Sequence, residues 1–181
     1  MHKSFDLYFV SSNSHKYKEA KSILDSFGIR LGFFKLNLEE IQSNSLKDIA
    51  ENKAKDALSK CKKPIIIEDD GLFIDSLNGF PGPYSSYVFK TIGNKGILKL
   101  VPSKRNAKFV SIITYCDKKT LKTFDAKLDG TISKSQKGKE MEGKKSRPKE
   151  KGLRGLSSKA YEAVLEQKST TYKEVAVKLL K

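Results

Sequence analysis

Three consecutive isoleucines, Ile65, Ile66 and Ile67, run directly into Glu68-Asp69-Asp70-Gly71. An unbroken β-branched run reads as a strand buried on both faces, the kind found in sheets covered by helices on either side. The rest of the chain supplies the helices. Phe5 to Val10 reads as a short aromatic-rich strand, and Ser11-Ser12-Asn13-Ser14 as a turn and helix cap. From Lys16 to Phe27, residues Tyr17, Ala20, Ile23, Leu24 and Phe27 fall at helical spacing, and Gly28 stops the helix. Ile29 to Leu38 predicts a second strand. Ser45-Leu46-Lys47-Asp48 opens a helix that runs to about Cys61. Gly79 to Tyr84 reads as an irregular loop and Gly93 to Val101 as a short helix. Lys108–Cys116 and Leu121–Leu128 read as an antiparallel pair, followed by a turn at Asp129-Gly130. Ser133 to Leu156 shows no period, and Lys159–Glu166 and Tyr172–Leu180 suggest two short amphipathic helices. Strands alternating with helices argue for the α/β class, in one domain over residues 1–181.

Bulk properties narrow the class of function. With 38% hydrophobic residues the chain can build a core. Cys61 and Cys116 stand far apart and match no metal-ligand spacing, which argues against a disulfide framework or a zinc site and favours a reducing compartment. No run approaches the roughly 20 apolar residues that span a bilayer, so the cytoplasm is the expected location. The formal charge is +15 at pH 7. It concentrates in one segment: ten basic residues from Lys134 to Lys159 face three acids, Glu140, Glu142 and Glu150. Such a segment reads either as a solvated loop or as a phosphate or nucleic-acid patch.

The chemistry starts at Glu68-Asp69-Asp70. Open α/β sheets place ligand sites at the carboxyl ends of their strands. Clustered carboxylates repel each other unless a cation neutralises them. Mg²⁺ suits this, because it usually takes one or two carboxylates plus phosphate oxygens. The alternative is a solvated acidic turn. The opening loop, Ser11-Ser12-Asn13-Ser14-His15-Lys16, leads from a strand into a helix and can present backbone N–H groups to an anion, with Lys16 adding a point charge. The alternative there is an ordinary N-cap. His15 stands alone beside Lys16 and reads as a surface histidine.

Taken together, these pieces resemble the inosine triphosphate pyrophosphatase-like family. Ser11 to Glu19 resembles its opening motif, Glu39-Glu40-Ile41-Gln42 its acidic segment, and Ala50-Glu51-Asn52-Lys53-Ala54 its Lys-Ala helix. Glu68 to Val88 is similar to its longest signature, and Thr91 to Ile97 continues in the style of archaeal members. The resemblance covers roughly residues 5 to 133. It implies an elongated mixed β-sheet with flanking helices, two lobes around a central substrate cleft, and a homodimer. It implies Mg²⁺-dependent hydrolysis of non-standard purine nucleoside triphosphates (ITP, dITP, XTP) to monophosphate and pyrophosphate. By position, Ser11, Ser12, Asn13, Ser14, His15 and Lys16 would hold the triphosphate. Glu40 and Asp69 would hold the metal, and Asp69 would also serve as base. Lys53 would steady phosphate charge, and Asp70 would lie close to the phosphates. The physics agrees, since water attack on a phosphate chain needs charge neutralisation and positioning more than covalent help.

The C-terminal third departs from the family. Its aromatic base-stacking segment would fall at Gly143 to Glu150, where only Gly143 and Pro148 match. Lys168 lies in a stretch, Glu166-Gln167-Lys168, that resembles the family's next segment. Tyr172 and Lys173 stand where the family has His and Arg, which recognise the purine edge. Lys168, Tyr172 and Lys173 are therefore further expected substrate contacts. Two other readings follow from the departure: a nucleic-acid-binding protein that reuses the fold, and a catalytically impaired homologue.

Overall fold

The computed structural model describes residues 4–101, 103–135 and 158–179. Six strands form one sheet: β1 (Leu7–Ser11), β2 (Leu31–Lys35), β3 (Ile65–Ile74), β4 (Pro81–Gly82), β5 (Asn106–Cys116) and β6 (Leu121–Thr131). The helices are α1 (Ser14–Asp25), α2 (Leu46–Cys61), α3 (Ser85–Thr91), α4 (Gly93–Leu100) and α5 (Ser158–Leu179). The strand order is β2-β1-β3-β5-β6, with β4 paired to β3. β1 runs parallel to β2 and β3, whereas β3 and β4 are antiparallel, so the sheet is mixed and the class is α/β, as expected.

The chain divides into two compact units. The first holds the chain up to Asp69, Ser111–Ala126 and the helix from Lys168 onward. The second holds the described parts of Asp70–Val110 and Lys127–Gln167. In the first unit, Leu7, Phe9, Leu24, Leu31, Ile66 and Ile113 make one core, into which α5 lays Tyr172, Val175 and Ala176. Each such aliphatic side chain contributes roughly 1.5–3 kcal/mol on burial. In the second, Ile74, Val88, Ile97, Val101 and Ala107 form a smaller core. The helix starts follow their predicted caps. Asn13 Oδ1 accepts from His15 N–H at 2.9 Å and Lys16 N–H at 3.4 Å, and Ser45 Oγ accepts from Asp48 N–H at 3.1 Å.

Four sequence expectations need correction. The isoleucine strand does not end at the acidic triplet. It continues to Ile74 because β4 supplies new backbone partners, pairing Leu72 with Gly82 and Phe73 with Pro81. Gly71 permits this close approach, since a Cβ there would lie 2.9 Å from the Gly82 carbonyl oxygen. Asp129-Gly130 is no turn but part of β6, and Ile132 N–H goes on to bond the Arg105 carbonyl oxygen at 2.8 Å. The predicted 79–84 loop carries the short strand β4 at Pro81–Gly82, and the helix α3 follows it at residues 85–91. The two C-terminal helices are one. Their apparent gap contains Lys168 and Thr171, which are buried polar residues on the inward face and so invisible to a hydrophobic period. No helix among the described residues is long and apolar enough to cross a membrane.

Candidate active site

The acidic triplet does not act as one cluster. Successive side chains of a strand point to opposite faces, so Glu68 and Asp69 part company. Glu68 turns to α5. Its Oε1 accepts from Lys168 Nζ at 2.6 Å and its Oε2 accepts from Tyr172 O–H at 2.6 Å. Lys168 is also 3.7 Å from Glu19 Oε2, and Lys16 Nζ stands 3.6 Å from Glu68 Oε1. Lys168 and Tyr172 are 1% and 0% exposed. A buried ion pair survives only when its remaining hydrogen-bonding capacity is met, and here a phenol and further charges meet it.

Asp69 turns to α2 instead. The buried stripe of α2 is Ile49, Ala50, Ala54 and Ala57, with Lys53 at its margin. The Lys53 stem lies along the protein and its ammonium reaches out. Lys53 Nζ donates to Asp69 Oδ1 at 2.5 Å and to Glu40 Oε1 at 3.0 Å. Glu40, in the segment between β2 and α2, keeps its carboxylate 60% exposed, while the side chains of Lys53 and Asp69 are 12% and 13% exposed. Asp69 Oδ2 is buried and accepts no hydrogen bond among the described residues. A buried oxygen left without a donor is costly and calls for an explanation, a bound ion among them. One buried and one open carboxylate around a common point match the share of its coordination shell that Mg²⁺ takes from protein. No group of three or more His, Cys, Asp or Glu side chains gathers at one place among the described residues, so any divalent ion here draws on few protein ligands.

The opening loop lies beside this pair. Within the first unit a pocket is lined by Ser11, Ser12, Glu40, Lys53 and Ile67, with Glu68 in its wall. Register explains the meeting: Phe9 pairs with Ile66, so β1 reaches Ser11 as β3 reaches Glu68. Although β3 continues, its acids still arrive level with the carboxyl end of β1. Ser11 Oγ accepts from Asn13 N–H at 3.0 Å, which shapes the loop as a tight polar turn. Lys16 Nζ donates to the Glu68 carbonyl oxygen at 3.1 Å.

A sequence profile of the Ham1 family matches residues 7–143. The chain is also 45% identical over 135 residues to a dITP/XTP pyrophosphatase of Methanopyrus kandleri, covering 73% of this chain and 72% of that one. The chain belongs to the Ham1 family. Another relative, a dITP/XTP pyrophosphatase of Thermococcus kodakarensis, is 40% identical over 134 residues, again covering 73% of this chain and 72% of that one. Among solved structures, a HAM1 protein from Coxiella burnetii superposes with a TM-score of 0.73 at 20% identity, covering 94% of this chain and 100% of that one. The Ham1 protein of Staphylococcus aureus gives 0.60 at 22% identity, covering 96% and 95%. The fold likeness thus runs on past the reach of the sequence profile, and α5 packs into the core of the first unit.

For this Ham1 chain, the structure sets Ser11, Ser12, Glu40 and Lys53 around one pocket, and Asp69, outside that lining, joins them through Lys53. Asn13 caps α1, Ser14 is its exposed first residue, and His15 is half-buried in its first turn. Asp70 follows Asp69 as the first residue of the second unit. Lys168 and Tyr172, expected at the substrate, are instead buried against Glu68, while Lys173 on the same helix is exposed. The base-segment register at Gly143–Glu150 and nearly all of the basic stretch behind the nucleic-acid reading lie outside the described residues. The anchoring role of Glu68, with Glu19 at its margin, was missed by sequence reasoning. A signal existed: Lys168 and Tyr172 are spaced i, i+4, so both can meet one partner on one helix face. Burial pushes the thiols of Cys61 and Cys116 above the ordinary cysteine range, Cys116 further aided by the Asp117 charge.

Proposed function

We propose that the protein is a nucleoside triphosphate diphosphatase that cuts ITP, dITP and XTP to the monophosphate and pyrophosphate, with Mg²⁺ as cofactor. The observation that carries this reading is the Lys53 ammonium held between Glu40 and Asp69 on the wall of a pocket shared with Ser11 and Ser12. The names of the archaeal relatives support the substrate class. Glu40 and Asp69 would hold the metal, which when bound neutralises phosphate charge and lowers the barrier to water attack. Asp69, which has a spare carboxylate oxygen, would take the proton of the attacking water. Ser11 and Ser12, with the backbone leading into α1, receive phosphate oxygens at a helix N-terminus, and Lys53 adds a positive charge beside them. Asp70 would border the phosphates, and Lys173, exposed on α5, would supply a substrate contact.

A product assay tests this. Incubation with ITP, dITP, XTP, ATP and GTP plus Mg²⁺ should release pyrophosphate and monophosphate, fastest for the first three, and EDTA should stop it. Orthophosphate as the product would overturn the reading. Two further elements belong to it. Five large apolar side chains are exposed between residues 80 and 92, namely Phe80, Tyr84, Tyr87, Phe89 and Ile92, a density that favours a homodimer contact. Tyr87→Ser combined with Ile92→Asp should convert a dimer to a monomer in light scattering, and a wild-type monomer would remove the idea. The free thiols Cys61 and Cys116 favour a reducing cytoplasm.

A further inference from the structure

Lys53 is the cation set between Glu40 and Asp69. Its single Nζ contacts Asp69 Oδ1 and Glu40 Oε1 at once, the two carboxylates that the proposed function assigns to the metal. Without that ammonium, two carboxylates converging on one point would repel each other. With it, the charge is largely balanced before any metal arrives. A divalent ion taken up by these carboxylates would meet the same ammonium as a like charge. Lys53 and Asp69 are little exposed although Glu40 is open to solvent, so screening between like charges there is incomplete.

We propose that Lys53 is the resident counter-cation of the Glu40–Asp69 pair and competes with divalent metal, so that the nucleotide-free protein binds metal weakly and a polyphosphate chain couples the two by drawing the ammonium onto its own oxygens. The pocket geometry allows the transfer, because Lys53 shares its wall with Ser11 and Ser12. The ammonium is suited to it. It is a compact charge on a flexible four-carbon stem, and its three donors are not bound to one planar geometry. The consequence is reciprocal: whatever factor the polyphosphate adds to metal affinity, the metal must return to polyphosphate affinity. An enzyme built this way takes metal and nucleotide together and holds little metal at rest. The inference rests on the diphosphatase reading and adds an order of events to it.

The test is Mn²⁺ binding to the nucleotide-free protein, read by the loss of the free-ion paramagnetic resonance signal, with no turnover involved. Wild type should bind Mn²⁺ weakly. Lys53→Met should bind it at least tenfold more tightly, and adding Asp69→Asn to that variant should abolish the gain. Lys53→Arg, which keeps the charge, should stay within about threefold of wild type. Lys53→Gln removes the charge with a polar head and serves if the methionine variant does not melt cooperatively. Unchanged or weaker Mn²⁺ binding in the folded Met or Gln variant overturns the competition. Wild-type pyrophosphate release from ITP, measured in parallel, then decides separately whether the diphosphatase reading stands.

Discussion

Glu68 and Asp69 are neighbours on one buried strand, and their surroundings are opposite. Glu68 has a lysine on one oxygen and a phenol on the other, at 2.6 Å each, with Lys16 nearby. Asp69 has one oxygen on Lys53 and the other buried with no hydrogen bond among the described residues. The first arrangement is complete and fastens α5 to the sheet. The second is incomplete, and its lysine lines a pocket. A carboxylate whose valences are all met inside the protein holds structure; one left with a spare buried oxygen is available to a ligand. Alternation along a strand lets a single acidic triplet do both.

The comparison can be broken from the structural side. The largest expected effect is that of Lys168→Met. Removing one partner of a buried ion pair leaves Glu68 charged and uncompensated, which should cost about 3–5 kcal/mol in urea unfolding. Tyr172→Phe deletes one hydrogen bond to the same carboxylate and should cost about 1–3 kcal/mol. In both variants, the folded fraction should keep its discrimination among purine triphosphates. A loss of discrimination without a loss of stability would return Lys168 and Tyr172 to the substrate side, where the family resemblance puts them.

Much of the fold was legible because its signals are local. The isoleucine run, the Asn13 and Ser45 caps and the helical spacing of α1 and α2 each act within a few residues, and each forms its element, though α1 ends at Asp25 with Ser26 as its cap and does not run to Phe27. What the sequence hid was non-local. The extension of β3 depends on β4, a partner strand seven residues further on that only the fold supplies. The unity of α5 depends on a lysine and a threonine facing inward, and Glu68 receives the lysine. At the site, the Glu40, Lys53 and Asp69 set was readable from the resemblance, and the structure brings these residues to one point. That Lys53 would join the two carboxylates was not readable, because spacing carries no information on which long side chain closes a gap between elements.

The division of labour between the two acids is measured most directly by assaying Asp69→Asn and Glu68→Gln side by side, for Mg²⁺-dependent pyrophosphate release from ITP and for thermal unfolding. Asp69→Asn should lose at least 10³-fold in kcat/KM, about 4 kcal/mol of barrier, while melting near wild type. Glu68→Gln should melt well below wild type yet keep measurable turnover when folded. Full activity in Asp69→Asn, or an inactive but fully stable Glu68→Gln, would contradict the assignment of chemistry to one face of the strand and architecture to the other.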